Sequence, residues 1–116
     1  MIMNKTLLAP SLLSCDFAYL SEAIKKIENN NGSLVHIDVM DGIFVPEITF
    51  GQPVVRCMRP LTSLPFDVHL MTEKPENQIE SFAKAGADWI TFHYEAAVHH
   101  HRIIQQIHEI RKKAGI

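Results

Sequence analysis

Residues 34–40 read LVHIDVM, and the rest of the fold can be worked out from this run. The apolar positions Ile37 and Val39 alternate with the polar positions His36 and Asp38. Alternate residues of a β-strand point to the same face, so we expect His36 and Asp38 to share one face. Ile37 and Val39 would then pack against surrounding helices. A strand buried inside a parallel sheet is normally apolar on both faces. A polar face on such a strand therefore indicates that its side chains have a chemical role.

The same polar alternation recurs further along the chain. Asp67 and His69 lie two apart in the run 65–70, and Thr91 and His93 lie two apart in the run 89–93. Burying such groups without partners costs several kcal/mol each, so a shared partner is expected. Imidazoles with a carboxylate suit a divalent ion such as Zn²⁺, Fe²⁺ or Mn²⁺. From spacing alone, histidines that simply complete the core are an equally good interpretation.

Along the chain as a whole, short apolar segments alternate with longer amphipathic ones. Strands are predicted at residues 6–9, 34–40, 65–70 and 89–93, and helices at 17–28, 53–58, 75–86 and 100–113. Gly115 and Ile116 resemble the approach to a fifth strand. Strand–helix alternation predicts an α/β fold with a parallel sheet and four βα units.

Composition narrows the classes of protein. The 116 residues are 47% hydrophobic with a net charge of −2, which argues against nucleic-acid and membrane partners. The longest apolar runs are far below the ~20 residues that span a bilayer. Cys15 and Cys57 form neither a disulfide framework nor a metal-binding pair, which favours a cytoplasmic protein.

Several segments, in order along the chain, resemble motifs of the ribulose-phosphate 3-epimerase family. They are APSLLS at 9–14, HIDVMDG at 36–42, FVP at 44–46, ITFG at 48–51, DVHLM at 67–71, AGAD at 85–88 and TFH at 91–93. The resemblance implies a (β/α)8 TIM barrel. Because such a barrel takes roughly 250 residues, residues 1–116 are expected to be the N-terminal half of a single ribulose-phosphate-binding barrel domain.

The resemblance also implies a reaction. It indicates interconversion of D-ribulose 5-phosphate and D-xylulose 5-phosphate in the pentose phosphate pathway, by metal-assisted proton abstraction at C3 through an enediolate. His36, Asp38 and His69 would bind one divalent metal ion (Zn²⁺, Fe²⁺, Mn²⁺ or Co²⁺), and Asp38 would also be a catalytic carboxylate. The family's second catalytic aspartate and its phosphate-binding loops belong to later strands, which are not in this chain.

Substrate contacts follow from the same resemblance. Ser11 and His69 would contact the sugar phosphate, and the thioethers of Met40 and Met71 would line its pocket. The protein is expected to be a homo-oligomer with a small-molecule sugar phosphate as its partner.

Two alternatives stay open. An allulose-6-phosphate 3-epimerase shares most of these motifs, and a non-catalytic half-barrel module would explain the chain length. Decarboxylation of the orotidine-phosphate type is disfavoured, because Met40 stands where that group of enzymes has a lysine.

The half-barrel alternative is testable. If the polypeptide ends at Ile116, we expect it to dimerise into a pseudo-barrel or to aggregate, because unpaired strand edges and an exposed inner face favour association. We also expect negligible turnover of D-ribulose 5-phosphate. Size-exclusion mass and an epimerisation assay measure both, and a stable, active monomer of this length would contradict the expectation.

Overall fold

A four-stranded parallel sheet forms the centre of the structure, a computed structural model that describes residues 4–116. In spatial and chain order the strands are β1 (Val35–Met40), β2 (Phe66–Met71), β3 (Trp89–Phe92) and β4 (Lys113–Gly115). The α-helices are α1 (Leu20–Asn29), α2 (Gln52–Met58), α3 (Ile79–Ala85) and α4 (His100–Glu109). The predicted alternation of strands with helices is therefore confirmed.

The apolar core lies between the sheet and the helices. Ile37, Val68 and Ile90 are paired in register across three strands and are completely buried. Phe82 of α3 and Ile107 of α4 belong to the same buried cluster. Burying one such side chain contributes about 1.5–3 kcal/mol, so the face of the sheet that packs against the helices contributes strongly to the stability of the fold.

The N-terminal segment differs from its prediction. Residues 4–10 form no regular strand, although they run beside β1. The carbonyl of Leu8 accepts from the amide of Ser33 at 2.8 Å, and that of Pro10 accepts from His36 at 3.0 Å. The ladder is incomplete because Pro10 has no amide hydrogen and the amide of Leu8 donates to the Ser33 hydroxyl instead.

The C-terminal prediction of a helix to residue 113 is wrong. Helix α4 ends at Glu109, and Arg111 adopts a left-handed φ of 60° that turns the chain back to the sheet. Lys113 then pairs with Trp89. Gly115 and Ile116 were expected only to lead towards a further strand, but that strand is already present as β4. The ammonium group of Lys113 lies 4.8 Å from the centre of the Trp89 ring, which accounts for a lysine on this strand.

Two helices begin later than predicted. A 3₁₀ turn at Phe17–Tyr19 precedes α1, and another at Pro75–Asn77 precedes α3. Gly86 ends α3 as expected, with a φ of 127° that glycine adopts readily. None of the helices within residues 4–116 combines the length and the apolar character needed to cross a membrane.

Arg59 follows α2 and connects it to the amino-terminal ends of β2 and β3. Its guanidinium donates to the carbonyls of Thr62 and Leu64 at 2.8 and 2.7 Å, and to the Asp88 carboxylate at 3.1 Å. It also lies 3.7 Å from the centre of the Phe66 ring. One planar cation thus satisfies several backbone and side-chain acceptors at once, which suits arginine and not lysine.

Arg59→Met should lower the free energy of unfolding by about 2–4 kcal/mol, because it leaves half-buried carbonyl oxygens and a carboxylate without their charged donor. Urea unfolding monitored by circular dichroism measures the change. Arg56→Met is the matched control, since Arg56 is exposed on α2, three residues before Arg59, and should shift stability by less than about 0.5 kcal/mol. Equal effects of the two substitutions would show that the Arg59 contacts add nothing.

Candidate metal and active site

His36, Asp38 and His69 lie together on the face of the sheet opposite Ile37 and Val68. His36 and Asp38 are two apart on β1, and His69 is the β2 residue directly beside Asp38. The prediction that they share a face is confirmed, because one ligand atom from each of the three side chains lies within 4.8 Å of the other two. The cluster sits in the middle of these strands and not at their ends.

The donor atoms are close enough to bind one ion. Nε2 of His36 lies 3.1 Å and Nδ1 of His69 lies 2.8 Å from the same oxygen of Asp38. Ligands of a tetrahedral Zn²⁺ at about 2.1 Å are separated by about 3.4 Å, so small side-chain shifts would complete such a geometry. Two imidazoles with one carboxylate are also the donor types that first-row divalent metals accept.

Asp38 is buried, and its carboxylate is held by several donors. The Ser11 hydroxyl donates to its second oxygen, which places Ser11 at the site. Burial raises the pKa of the Asp38 carboxyl, but hydrogen bonds from Ser11 and His69, together with the His36 charge, lower it further than burial raises it. The net pKa lies below the ordinary value, so Asp38 is ionised at neutral pH.

The second ring nitrogen of His36 faces the neighbouring strand. Nδ1 lies 2.8 Å from a carboxylate oxygen of Asp67, which is the residue beside His36 in the register. This hydrogen bond raises the pKa of His36 above its ordinary value; burial opposes the shift, and the charge of Asp38 adds to it. Both ring nitrogens of His36 are therefore directed at carboxylates.

The second ring nitrogen of His69 faces another imidazole. Nε2 of His69 lies 2.7 Å from Nε2 of His93, and the two rings stack at a centroid separation of 4.9 Å. His93 follows the last residue of β3, and its ring also contacts Phe44 at 4.9 Å between centroids. Sequence spacing left the role of His93 open between cavity lining and packing, and the structure puts it against a candidate ligand.

Met40 and Met71 end β1 and β2 and lie side by side in the register. By strand alternation they share the face of Asp38 and His69, so they flank the cluster on its carboxyl-terminal side. Their position agrees with the predicted pocket lining, while the substrate contacts of Met40, Met71, Ser11 and His69 stay predictions.

The loop after β1 is braced by residues that the sequence did not single out. The Thr49 hydroxyl donates to the carbonyl of Asp38 at 2.8 Å and accepts from the amide of Met40 at 3.1 Å. Asp41 accepts from the amides of Ile43 and Phe44 at 2.9 Å. Such contacts depend on how the loop folds back, and the sequence gives no spacing signal for them beyond a turn.

Comparison with known proteins agrees with this geometry. A family model described as the ribulose-phosphate 3-epimerase family matches residues 7–116. The chain belongs to this family. The resemblance read from the motifs is confirmed, and the parallel sheet with alternating helices is consistent with the first βα units of the family's barrel.

Three relatives named as epimerases illustrate the similarity. The ribulose-phosphate 3-epimerase of Treponema pallidum (strain Nichols) is 56% identical over 109 residues, covering 94% of this chain and 50% of the relative. That of Bacillus subtilis (strain 168) is 55% identical over 108 residues, covering 93% and 50%. The chloroplastic ribulose-5-phosphate-3-epimerase of Arabidopsis thaliana is 46% identical over 112 residues, covering 95% and 40%. This epimerase-family chain therefore spans about half the length of the curated relatives it matches.

The Asp41 carboxylate gives the site loop a pH-dependent brace. It also accepts from the amide of Glu73 at 2.8 Å, which ties the loop after β1 to the segment after β2. Burial raises the pKa of Asp41, while the backbone hydrogen bonds from Glu73, Ile43 and Phe44 lower it to a net value below the ordinary one. Its stabilising effect is complete above the unfolded-state pKa and disappears as pH falls through the folded-state pKa.

Asp41→Asn should lower the free energy of unfolding by about 1 kcal/mol at neutral pH, because an amide has one acceptor oxygen in place of two. The difference from the wild-type protein should shrink towards zero as the pH falls below about 4. Urea midpoints measured from pH 7 to pH 3 follow it. Glu47→Gln is the control, since Glu47 is exposed in the same loop, and a pH-independent Asp41→Asn effect would contradict the linkage.

Proposed function

We propose that this protein is a D-ribulose-5-phosphate 3-epimerase that interconverts D-ribulose 5-phosphate and D-xylulose 5-phosphate. In this proposal, residues 1–116 are the N-terminal half of a single (β/α)8 barrel domain. The observation that carries it is the convergence of His36, Asp38 and His69 on one face of the parallel sheet, in a chain of the epimerase family.

His36, Asp38 and His69 would hold one divalent ion, with Zn²⁺, Fe²⁺, Mn²⁺ and Co²⁺ as the candidates. Such an ion supplies Lewis-acid stabilisation of the negative charge that develops on the substrate oxygens. The chain itself supplies the orientation: Asp38 is fixed by hydrogen bonds on both of its oxygens, so a substrate meets a carboxylate with one defined position.

Asp38 would act as the base. The C3 hydrogen of the ketose phosphate lies next to the C2 carbonyl, so its removal leaves an enediolate in which the charge is delocalised. An ionised, half-enclosed carboxylate can take that proton, and the lowered pKa of Asp38 keeps it available at neutral pH. Inversion at C3 needs a second carboxylate on the opposite face of the substrate, which we propose comes from a later strand of the barrel.

The substrate would be held by residues around the cluster. The Ser11 hydroxyl donates to Asp38 and could redirect to a sugar hydroxyl, while His69 lies on the other side of the same carboxylate. Met40 and Met71 would give the pocket an apolar wall. A cytoplasmic homo-oligomer that acts on a small sugar phosphate completes the proposal.

Asp38→Asn should lower exchange of the C3 hydrogen with deuterated solvent by about 10²–10⁴-fold, because an amide cannot accept the proton at neutral pH. The natural full-length polypeptide is assayed with D-ribulose 5-phosphate by NMR, and the bound metal is quantified in parallel so that loss of the base is separated from loss of the ion.

Asp16→Asn is the matched control. Asp16 caps the 3₁₀ turn at Phe17–Tyr19 through the amide of Ala18, and asparagine caps equally well, so exchange should be unchanged. Wild-type exchange in Asp38→Asn would show that another group removes the proton and would end this assignment.

A further inference from the structure

Each candidate metal-binding histidine has one ring nitrogen at the cluster and the other against a residue outside it. His36 faces Asp67, and His69 faces His93. We propose that Asp67 and His93 are positioning residues that fix which nitrogen of each histidine is free to bind the ion. The inference rests on the proposed metal site and adds to it two residues that contact the candidate ligands from outside the cluster.

For His36 the partner is an obligate acceptor. An ionised carboxylate only accepts hydrogen bonds, so Nδ1 of His36, at 2.8 Å from Asp67, must carry the proton. Nε2 contacts an oxygen of Asp38 at 3.1 Å. A neutral imidazole has one N–H only, so in the metal-bound ring, with that N–H held on Nδ1 by Asp67, Nε2 is left as the lone pair that binds the ion. The carboxylate of Asp67 thus selects the metal-binding tautomer and makes the ring a stronger donor.

For His69 the partner is a second imidazole. The two Nε2 atoms are 2.7 Å apart, a distance that requires one proton between them. When Nδ1 of His69 is bare to bind an ion, Nε2 of His69 must carry that proton and His93 must accept it. His93 then carries its own proton on Nδ1, which faces a carboxylate oxygen of Glu95 at 3.6 Å.

The packing around His93 supports a fixed orientation. Its ring is stacked on that of His69 at an interplanar angle of 26° and contacts Phe44 on another side. Asp67 is likewise set by the backbone, because it is the strand neighbour of His36. Neither partner therefore needs an induced movement before a metal ion binds.

The expected effect is a loss of metal affinity. Outer partners of ligating histidines typically change metal affinity or activity by about 10–100-fold. Asp67→Leu removes the acceptor while keeping the branching pattern of the side chain, and His93→Phe keeps the stacked ring but removes its nitrogens. Each should weaken Co²⁺ binding by about 10–100-fold, whereas Asp67→Asn and His93→Gln, which keep an acceptor oxygen, should recover part of the loss.

The test titrates Co²⁺ alone into the natural full-length protein and follows the visible absorption of the bound ion. A second readout uses the Zn²⁺-loaded protein, in which NMR detects slowly exchanging ring protons. The wild-type protein should show a protected Nδ1 proton on His36 and a protected Nε2 proton on His69. Asp67→Leu should lose only the first, and His93→Phe should lose only the second.

Glu80→Gln is the control for removal of a negative charge, because Glu80 is an exposed residue paired with Lys84. Its Co²⁺ affinity should match the wild-type value. Unchanged affinity and unchanged ring protons in Asp67→Leu and His93→Phe would overturn the inference while leaving the metal site intact. Loss of both protons in either variant would also overturn it, since that indicates general collapse of the site. A wild-type protein that binds neither ion would instead refute the proposed metal site itself.

Discussion

The carboxylate of Asp38 must be satisfied inside the protein, and much of the structure around it follows from that requirement. An isolated buried carboxylate is strongly unfavourable, but the partners of Asp38 come from different parts of the chain. Ser11 belongs to the N-terminal segment, His36 to β1 and His69 to β2. Correct assembly of these segments is therefore the condition under which Asp38 can be both buried and charged, so folding and formation of the site are coupled through one side chain.

The same strands carry stability on one face and chemistry on the other. Ile37 and Val68 are fully buried against the helices, while the residues that alternate with them form the polar cluster. A slip of one residue in the pairing of β1 with β2 would exchange the two faces and place His69 in the apolar layer. The apolar core thus enforces the register that aligns Asp38 with His69. The packing that stabilises the sheet therefore also positions the residues of the site.

The sequence predicts those features that depend on periodicity. It does not predict those that depend on how the chain folds back onto the sheet after a helix or a loop. Alternation in LVHIDVM is enough to put His36 and Asp38 on one face, and the motif resemblance adds their roles. The strand at Lys113–Gly115 is not predictable in this way, because two lysines extend the polar pattern of the preceding helix. Thr49 and Asp41 are missed for a similar reason: their partners are backbone groups whose positions exist only once the loop has closed.

Strand geometry also explains why the two histidines approach Asp38 with different nitrogens. His69 lies directly beside Asp38 on a strand about 4.8 Å away, so the nearer nitrogen, Nδ1, reaches the carboxylate. His36 lies two residues back on the same strand, about 6.6 Å along it, so only the far nitrogen, Nε2, can reach. The nitrogens left over then point in fixed directions: Nδ1 of His36 towards its strand neighbour Asp67, and Nε2 of His69 towards His93 beyond the end of β3. The direction in which each remaining nitrogen points is therefore a consequence of backbone register.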